Sequence, residues 1–293
     1  MACVKFFYSV YFLGFSFIMN KNIFRADKKN VGDWWAPPFR YFPFQSHAFH
    51  DLVDFSPHKD DEGIFIVGGG GLGRDGFRPH LDRLTQKDRK YKLIAWGVGA
   101  DLEGTEKDAA YPLGDFFDDF DEVGTRIIQK EDHHHWVPCA SCMHPMIEQY
   151  KKSKPRHEVG VYSHKRKKLT HKNIFNAHKK NRSFLSLNNY SVNQFDDNSG
   201  DSFEKKLAFL ASHRTIITNS YHGVYWATLL GRKVICVPFK TGLHTFKHAP
   251  TYSDGVISDE ALDTAKIYDD ALDECRLANI HFYHYLVSKY GDI

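Results

Sequence analysis

The chain has few cysteines, no long hydrophobic run and almost no net charge, and each shortage excludes a class of protein. Five cysteines among 293 residues are too few and too scattered for a disulfide scaffold, and their odd number suits a reducing compartment. A net charge of +3 does not indicate a protein that coats nucleic acid. The 42% of hydrophobic and 15% of aromatic residues are enough for a packed core. We therefore expect a folded cytoplasmic protein.

An uncharged, aromatic-rich run near the N-terminus, residues 6–19, is too short for an ordinary transmembrane helix. It contains fourteen residues, whereas a helix that crosses a bilayer needs about 20. A signal peptide would have a more basic start and a small-residue cleavage site. We expect a buried strand at residues 4–11 and its continuation. A signal anchor or membrane-associated hairpin is the alternative, and it would add a peripheral membrane contact.

The small net charge conceals a change of sign near the middle of the chain. Residues 99–133 contain eleven acidic residues and three Lys or Arg, whereas residues 151–182 contain twelve Lys or Arg and one acidic residue. The basic stretch lacks a recognition module with interleaved aromatic residues, so nucleic acid is not an expected partner. We favour a solvated face, or a rim that attracts an anionic donor or a polyprenyl phosphate acceptor.

Apolar runs that end in glycine predict parallel strands of an open α/β sheet. Residues 63–71 and 92–99 each combine a short apolar run with closing glycines, and residues 120–124 form a weaker example. In each case we expect a buried strand followed by a glycine loop. Ligands bind such sheets at the carboxyl ends of the strands, where these glycines lie. Neither glycine run forms a convincing dinucleotide-binding fingerprint, so no nucleotide cofactor is expected.

The second part of the chain repeats the alternation of strands and helices. Strands are expected at residues 158–163, 183–187, 214–218 and 233–238, and helices at residues 203–211, 224–230 and 259–290. Residues 133–145 contain two prolines and are expected to connect the two parts. A chain of this length suits two domains of about 100–200 residues each. We therefore predict two Rossmann-like α/β domains, residues 1–145 and 146–293, that face each other across a cleft.

The strongest local signal is the segment from Thr218 to Gly223, which lies between an expected strand and an apolar helix. It delivers Ser220, Tyr221 and His222 to the first turn of the helix. Unpaired backbone N–H groups and the positive end of the helix dipole make such a turn a site for anions. A histidine there can exchange protons beside a bound phosphate or carboxylate. The alternative is that His222 caps the helix or packs in the cleft wall.

The order of these motifs resembles that of the polysaccharide pyruvyl transferase family. In that family a strand leads into a Ser-aromatic-His-Gly turn, then a helix that ends in Gly, then a strand that contains Pro. Residues 203–238 match this pattern, and Asn30–Asp33 resembles the N-terminal Asn-x-Gly-Asp motif of the family. The remaining matches, in the same order as in the family, are residues 68–71, 96–99 and 121–126.

The resemblance implies a fold like that of the GT-B glycosyltransferases and a transferase that forms a cyclic ketal. The donor would be phosphoenolpyruvate, and the acceptor would be two hydroxyls of one sugar in a glycan or lipid-linked precursor, as in exopolysaccharide biosynthesis. The resemblance implies neither a cofactor nor a metal. His222 matches the position of the general acid. By the same resemblance, the expected substrate-binding residues are Asn30, Gly32, Asp33, Gly69, Gly70, Gly99, Arg126, Ser220, Tyr221 and Gly223.

One position departs from the family pattern. Some members carry an Arg two residues before the motif histidine, whereas this chain has Ser220. Either a cation from elsewhere holds the donor, or the donor differs. The cations available are Arg126, His164, Lys165, Arg166 and Lys240.

The alternative functions are a GT-B-type glycosyltransferase that uses a nucleotide-sugar donor, and a non-catalytic anion- or nucleic-acid-binding protein of the same fold.

The loop after the last expected strand, residues 239–248, carries Lys240 and His244. In an open α/β half this loop points toward the cleft. We expect both side chains to contact the donor or the acceptor; a solvated basic loop is the alternative.

Cys139 and Cys142 lie near His144 and a run of three histidines, which raises the question of a zinc site. Structural zinc sites usually show a second pair of ligands at a defined spacing. This segment has no such pair, so we expect a structural thiol pair and no metal.

Overall fold

The computed structural model describes residues 20–45, 48–100, 113–128, 134–170, 174, 194–254, 257–291 and 293. Within these residues the chain forms two parallel sheets with helices packed against them, which confirms the predicted α/β class. The strands expected at residues 4–11 and 183–187, and much of the basic stretch, lie outside the described residues.

In the described part of the chain, the first sheet has six strands, each parallel to its neighbours. They are β1 (Lys21–Phe24), β2 (Phe49–Asp51), β3 (Glu62–Gly73), β4 (Lys90–Ala100), β5 (Glu122–Thr125) and β6 (His134–Trp136). Their order is β2-β1-β3-β4-β5-β6. The side chains of Phe65 and Val67 on β3 and of Leu93 on β4 are fully buried, as expected for central parallel strands.

The expectation of glycine loops after β3 and β4 is wrong, because both strands continue through their glycines. β3 extends to Gly73 and β4 to Ala100. The register of β3 against β4 shifts between Gly70 and Gly73, and Gly69 and Gly70 have φ angles of +77° and +93°. Glycine adopts this left-handed backbone at little cost, so the strand bends at its carboxyl end instead of ending.

The segment at residues 133–145 is more than a connection. His134–Trp136 forms β6, which pairs with β5 so that His134 lies opposite Val123. This pairing supplies hydrogen bonds to the backbone of β5, which would otherwise lie at the edge of the sheet. A 3-10 turn at Ala140–Met143 follows and leads into the second part of the chain.

The second sheet has five strands among the residues described, and its neighbouring strands are also parallel. They are β7 (His157–Ser163), β8 (Phe195–Asp197), β9 (His213–Thr218), β10 (Lys233–Cys236) and β11 (Thr251–Tyr252). The order is β11-β10-β9-β7-β8. The strands expected near residues 158, 214 and 233 are therefore confirmed.

The helices lie largely where the apolar spacing predicts them. They are α1 (Val31–Trp35), α2 (Arg78–Asp82), α3 (Pro145–Lys151), α4 (Phe203–Ala211), α5 (Tyr221–Leu229), α6 (Asp259–Thr264) and α7 (Ala271–Tyr290). The predicted bounds of α4 are confirmed, whereas α5 begins at Tyr221 and not at Val224. Almost every residue of α5 is buried, which fits a helix that is apolar on all sides.

The C-terminal tail forms two helices and not the single expected one. α6 ends at Thr264, and Ala265 is extended, with φ and ψ of −60° and 127°. α7 then packs Leu272 into the core of the second part of the chain and Phe282 against Trp96 of the first sheet.

The indole Nε1 of Trp96 donates a hydrogen bond to Asn279 Oδ1 at 2.8 Å, and both side chains are fully buried. α7 thus packs on both parts of the chain, and the domain division between residues 145 and 146 stays a prediction. Among the described residues, no helix has the length and apolar character required to cross a membrane.

Candidate active site

A cleft lies where the carboxyl ends of the two sheets meet. The first sheet contributes Leu72 of β3, Ala100 of β4 and Arg126, which follows β5. The second sheet contributes His164, which follows β7, and Ser220, which follows β9. This is the position at which open α/β sheets bind ligands.

Cationic side chains outnumber acidic ones in the wall of this cleft. The cations are Arg25, Arg74, Arg126, Lys165, Arg166 and Lys240, and the acids are Asp27 and Asp33. A concave wall with such an excess attracts anions.

The cleft wall contains most of the side chains that the sequence predicts for the site. Those that line it are His222, Asn30, Asp33, Arg126, His164, Lys165, Ser220, Tyr221 and Lys240. The five predicted glycines, Gly32, Gly69, Gly70, Gly99 and Gly223, are not among the residues that line the cleft. His244 also lies outside the lining, and its ring packs on Tyr252 at a centroid distance of 4.8 Å.

His222 lies in the first turn of α5 and is only 6% exposed. Its Nε2 lies 3.5 Å from the sulfur of Cys139, which is the sole hydrogen-bond partner of this ring among the described residues. Trp226, one turn along the helix, packs on the ring at 4.7 Å between centroids. Two sides of the imidazole are therefore held by protein, and Nδ1, on the side of Gly32, is the nitrogen left to reach a ligand in the cleft.

The pKa of His222 lies well below its ordinary value of 6.5, and burial is the main cause. The nearby positive charge of Arg126 lowers this pKa further. The imidazole is therefore neutral at pH 7 in the free protein. An anionic ligand in the cleft would favour the imidazolium and raise the pKa again.

Arg126 is a buried cation without a carboxylate partner among the described residues. It is 7% exposed, its Nη1 is buried and makes no hydrogen bond, and its guanidinium lies 3.5 Å from the centroid of the Tyr221 ring. An unpaired buried charge is unfavourable unless a ligand compensates it. An anion bound in the cleft would supply such compensation.

Two glycines make room for the two central side chains. A Cβ on Gly99 would lie 2.1 Å from Nε of Arg126, and a Cβ on Gly32 would lie 2.1 Å from Nδ1 of His222. Contacts this short are not tolerated, so any larger residue would displace the guanidinium or the imidazole. The absence of a side chain at both positions thus leaves the space that the guanidinium and the imidazole occupy.

The other three glycines allow backbone segments to approach each other. A Cβ on Gly223 would lie 2.2 Å from Oγ1 of Thr218, so glycine lets α5 pack close to β9. A Cβ on Gly69 would lie 2.4 Å from that of Ala36, and one on Gly70 would lie 3.3 Å from Oδ1 of Asp33. These glycines bring α1 onto the end of β3.

Asn30 holds the loop before α1 against the second part of the chain. Its Oδ1 accepts hydrogen bonds from the Gly32 backbone N–H at 3.2 Å and from Asn198 Nδ2 at 3.1 Å. Its own Nδ2 donates to Asp33 Oδ2 at 2.6 Å. The Val31 backbone N–H donates to the Asn198 carbonyl at 3.1 Å. Asn30 therefore shapes the loop and orients the Asp33 carboxylate at the cleft.

Lys165 is engaged within the protein, since its Nζ forms an ion pair with Asp27 at 2.9 Å. The same Nζ donates to the Lys29 carbonyl at 3.1 Å. The lysine thus ties β7 to the loop before α1 across the cleft. Its charge is offset by Asp27, whose pKa it lowers through a hydrogen bond and its charge although burial opposes the shift.

Two buried asparagines, Asn198 and Asn219, support the site but were not singled out from the sequence. Asn219 Oδ1 accepts from the His164 backbone N–H at 2.7 Å, and Asn198 Oδ1 accepts from the Lys165 backbone N–H at 2.6 Å. Asn219 lies inside the predicted motif, so its position was a usable signal. Asn198 follows a three-residue strand and gave none.

Cys139 and Cys142 are both fully buried at the junction of the two parts of the chain. Cys142 Sγ accepts from Asn279 Nδ2 at 3.4 Å. Over the ranges described, no three His, Cys, Asp or Glu side chains are grouped as ligands for a metal ion. The absence of a metal stays a prediction.

Comparison with known proteins agrees with the resemblance seen in the motifs. The family model described as polysaccharide pyruvyl transferase matches residues 10–240, which is well over half of the chain. No curated protein sequence matches the chain.

Among solved structures, the chain is similar to the E. coli ADP-heptose LPS heptosyltransferase II. The two sequences are 11% identical, and the alignment covers 90% of this chain and 99% of the other, with a TM-score of 0.30.

Proposed function

Because the chain belongs to the polysaccharide pyruvyl transferase family, we propose that it transfers the pyruvyl group of phosphoenolpyruvate to a sugar as a cyclic ketal. The acceptor would be a sugar of a glycan or of a lipid-linked glycan precursor. The observation that carries the proposal is the buried guanidinium of Arg126, which has no carboxylate partner among the residues described, in a cleft with an excess of cations. Phosphoenolpyruvate offers a phosphate and a carboxylate to such a site.

Arg126 takes the place of the arginine that is missing at Ser220. Ser220 is buried and cannot supply positive charge. Arg126 reaches the same turn from the first sheet, where its guanidinium stacks on the neighbouring Tyr221. Since an arginine can bind a phosphate or a carboxylate through two parallel hydrogen bonds, it fits either anionic group of the donor.

His222 acts as the general acid in this proposal. The negative charge of the bound donor raises the pKa of the imidazole, which takes up a proton and passes it to the methylene carbon of phosphoenolpyruvate. The methylene becomes a methyl group, and the neighbouring carbon becomes an oxocarbenium-like centre. One sugar hydroxyl attacks this carbon and loses its proton. The second hydroxyl then attacks the same carbon, displaces inorganic phosphate and loses its proton, which completes the ketal.

Asp33 is suited to the acceptor rather than to the donor. Its carboxylate lines the cleft and is held by Asn30 Nδ2 at 2.6 Å. A carboxylate repels the anionic donor but can accept the proton that an attacking sugar hydroxyl loses. We therefore assign the donor to the side of Arg126 and the sugar hydroxyls to the side of Asp33.

The proposal is tested by comparing donors on the purified protein. Phosphoenolpyruvate should raise the melting temperature, and a panel of nucleotide sugars should leave it unchanged. With a set of sugar acceptors, turnover should release one inorganic phosphate for each ketal formed. Stabilisation by a nucleotide sugar and not by phosphoenolpyruvate would contradict the proposal. It would favour a GT-B-type glycosyltransferase, the alternative raised by Ser220 in place of the arginine.

A further inference from the structure

A series of contacts between buried polar groups ends at Nε2 of the His222 ring. The indole Nε1 of Trp226 lies 2.9 Å from Ser141 Oγ, and Ser141 Oγ lies 3.1 Å from Cys139 Sγ. Cys139 Sγ lies 3.5 Å from His222 Nε2. Trp226, Ser141 and Cys139 are all fully buried. We propose that Cys139 and Ser141 form a directed hydrogen-bond relay that fixes the tautomer of His222 with its proton on Nδ1.

The direction of the relay follows from the donors that its members carry. An indole N–H can only donate, so Ser141 Oγ accepts from Trp226. Ser141 has one hydroxyl proton, and among the described residues the Cys139 sulfur is the one acceptor its side chain meets. The sulfur thus accepts from Ser141, whose backbone N–H also interacts with it. The thiol proton of Cys139 is then donated to His222 Nε2.

The opposite direction leaves a buried donor unsatisfied. If His222 Nε2 carried the proton, it would donate to the Cys139 sulfur, and the thiol would turn to Ser141 Oγ. The Ser141 hydroxyl proton would then have no acceptor among the described residues, in a fully buried position where an unsatisfied donor is unfavourable. Burial also raises the pKa of the Cys139 thiol, so the proton needed for the relay stays on sulfur.

The consequence for the reaction rests on the proposed function. With Nε2 occupied as an acceptor, the proton-bearing nitrogen is Nδ1, the one beside Gly32 that can reach the cleft. Cys139 and Ser141 do not touch the donor in this proposal and act through His222, as positioning residues. When the bound donor raises the pKa of His222, the second proton binds at Nε2, which then donates to the Cys139 sulfur, and Nδ1–H, directed at the cleft, is the proton passed to the donor.

The tautomer is measured directly by NMR on the full-length protein labelled with ¹⁵N-histidine, without any substrate. The signals of His222 are identified by their loss in His222→Asn. Above the pH at which His222 titrates, we expect a pyrrole-type signal for Nδ1 and a pyridine-type signal for Nε2. In Cys139→Ala we expect these two signals to exchange or to average. Because no substrate is present, this result does not depend on which donor the enzyme uses.

Three variants separate positioning from packing. Cys139→Ser keeps a donor at the same place and should retain the Nδ1 tautomer. Cys142→Ala makes the same truncation three residues away, where the sulfur faces Asn279, and should leave the His222 signals unchanged. Where the enzyme shows transfer activity, Cys139→Ala should lower kcat at least about tenfold with a KM for phosphoenolpyruvate close to wild type, because the ring loses the contact at Nε2 that directs Nδ1–H at the donor, which affects chemistry more than binding.

Clear outcomes would overturn the relay. A wild-type His222 that carries its neutral proton on Nε2 contradicts it outright, even if the Cys139 variants do not fold. A folded Cys139→Ala whose His222 tautomer is unchanged contradicts it as well. If the wild-type protein shows the expected tautomer but does not transfer the pyruvyl group from phosphoenolpyruvate, the proposed function is refuted and the relay is still supported.

Discussion

Arg126 and Tyr221 meet across the cleft, with the guanidinium of the first 3.5 Å from the ring centroid of the second. Arg126 follows β5 of the first sheet, and Tyr221 begins α5, beyond β9 of the second. The contact thus joins the two parts of the chain at the proposed donor site. It also holds the guanidinium in place by a cation–π interaction, worth about 0.5–2 kcal/mol, while Nη1 makes no hydrogen bond within the described part of the chain.

Replacing Arg126 should separate stability from binding. In Arg126→Met the apolar side chain removes a buried charge that has no carboxylate partner in the described ranges, so we expect the melting temperature of the free protein to stay the same or rise. The same change removes the cation for the donor, and KM for phosphoenolpyruvate should rise at least about tenfold, since charge-assisted hydrogen bonds contribute about 1.5–3 kcal/mol. Thermal melting with and without phosphoenolpyruvate measures both effects.

Arg78→Met is the matched control, because Arg78 is paired with Asp115 away from the cleft. It should leave donor binding unchanged. An Arg126→Met protein that still gains stability from phosphoenolpyruvate would exclude Arg126 from the donor site.

The glycine behind Arg126 offers a second test of the same site. Gly99→Ala adds a Cβ that would lie 2.1 Å from Nε of Arg126, so the guanidinium has to move. We expect KM for phosphoenolpyruvate to rise at least about fivefold, since a displacement of about 1 Å is costly in a positioned site. Gly76→Ala, where a Cβ meets nothing within 4 Å, is the control and should behave as wild type. Steady-state kinetics measure this KM, and a value for Gly99→Ala close to that of the wild type would contradict the role of Gly99 in positioning Arg126.

The glycine behind His222 should affect the chemical step instead. Gly32→Ala adds a Cβ that would lie 2.1 Å from Nδ1 of His222 and displaces the imidazole from the cleft wall. We expect kcat to fall at least about tenfold, because general acid catalysis contributes about 10²–10⁴-fold and depends on geometry. Titration of donor binding should show a much smaller change. A fall in donor affinity with unchanged kcat would place His222 in binding rather than in catalysis.

The sequence motifs placed several residues that line one cleft, because strand ends and glycines leave local signals. Residues 218–223 delivered His222, and the segment ending at Arg126 delivered the cation, although each comes from a different sheet. The glycine runs were misjudged as loops because composition does not show that β3 continues with φ angles of +77° and +93°.

The contacts that support the site could not be predicted from local patterns. Cys139 lies 83 positions before His222 in the chain, and Asn198 lies 168 positions after Asn30. Such pairs depend on how the two sheets are placed, which no periodicity encodes. For the same reason, no local pattern indicates that Lys165, which lines the cleft, forms an ion pair with Asp27.

The buried Asn279 should be a main support of α7. Its Oδ1 accepts from Trp96 Nε1 at 2.8 Å, and its Nδ2 donates to the Pro138 carbonyl at 3.1 Å. Asn279→Ala leaves both groups unsatisfied, so we expect the free energy of unfolding to fall by at least about 2 kcal/mol. Leu277→Ala on the exposed side of the helix should change it by less than about 0.5 kcal/mol. Urea denaturation distinguishes these values, and equal small effects would mean that α7 is held mainly by its apolar contacts.

The pH dependence of the reaction should differ between kcat/KM and kcat. In the free protein burial and Arg126 hold the pKa of His222 well below 6.5, and the general acid is needed in its protonated form. The profile of kcat/KM, which reports the free enzyme, should therefore fall as pH rises through that low pKa. Bound phosphoenolpyruvate places negative charge beside the imidazole and raises its pKa, so the corresponding fall in kcat should lie at higher pH.

In Arg126→Met one cause of the low pKa of His222 is removed, and the fall in kcat/KM should move to higher pH. Steady-state rates measured between pH 4 and 8 decide this: profiles that rise with pH through the same range would show that His222 acts as a base.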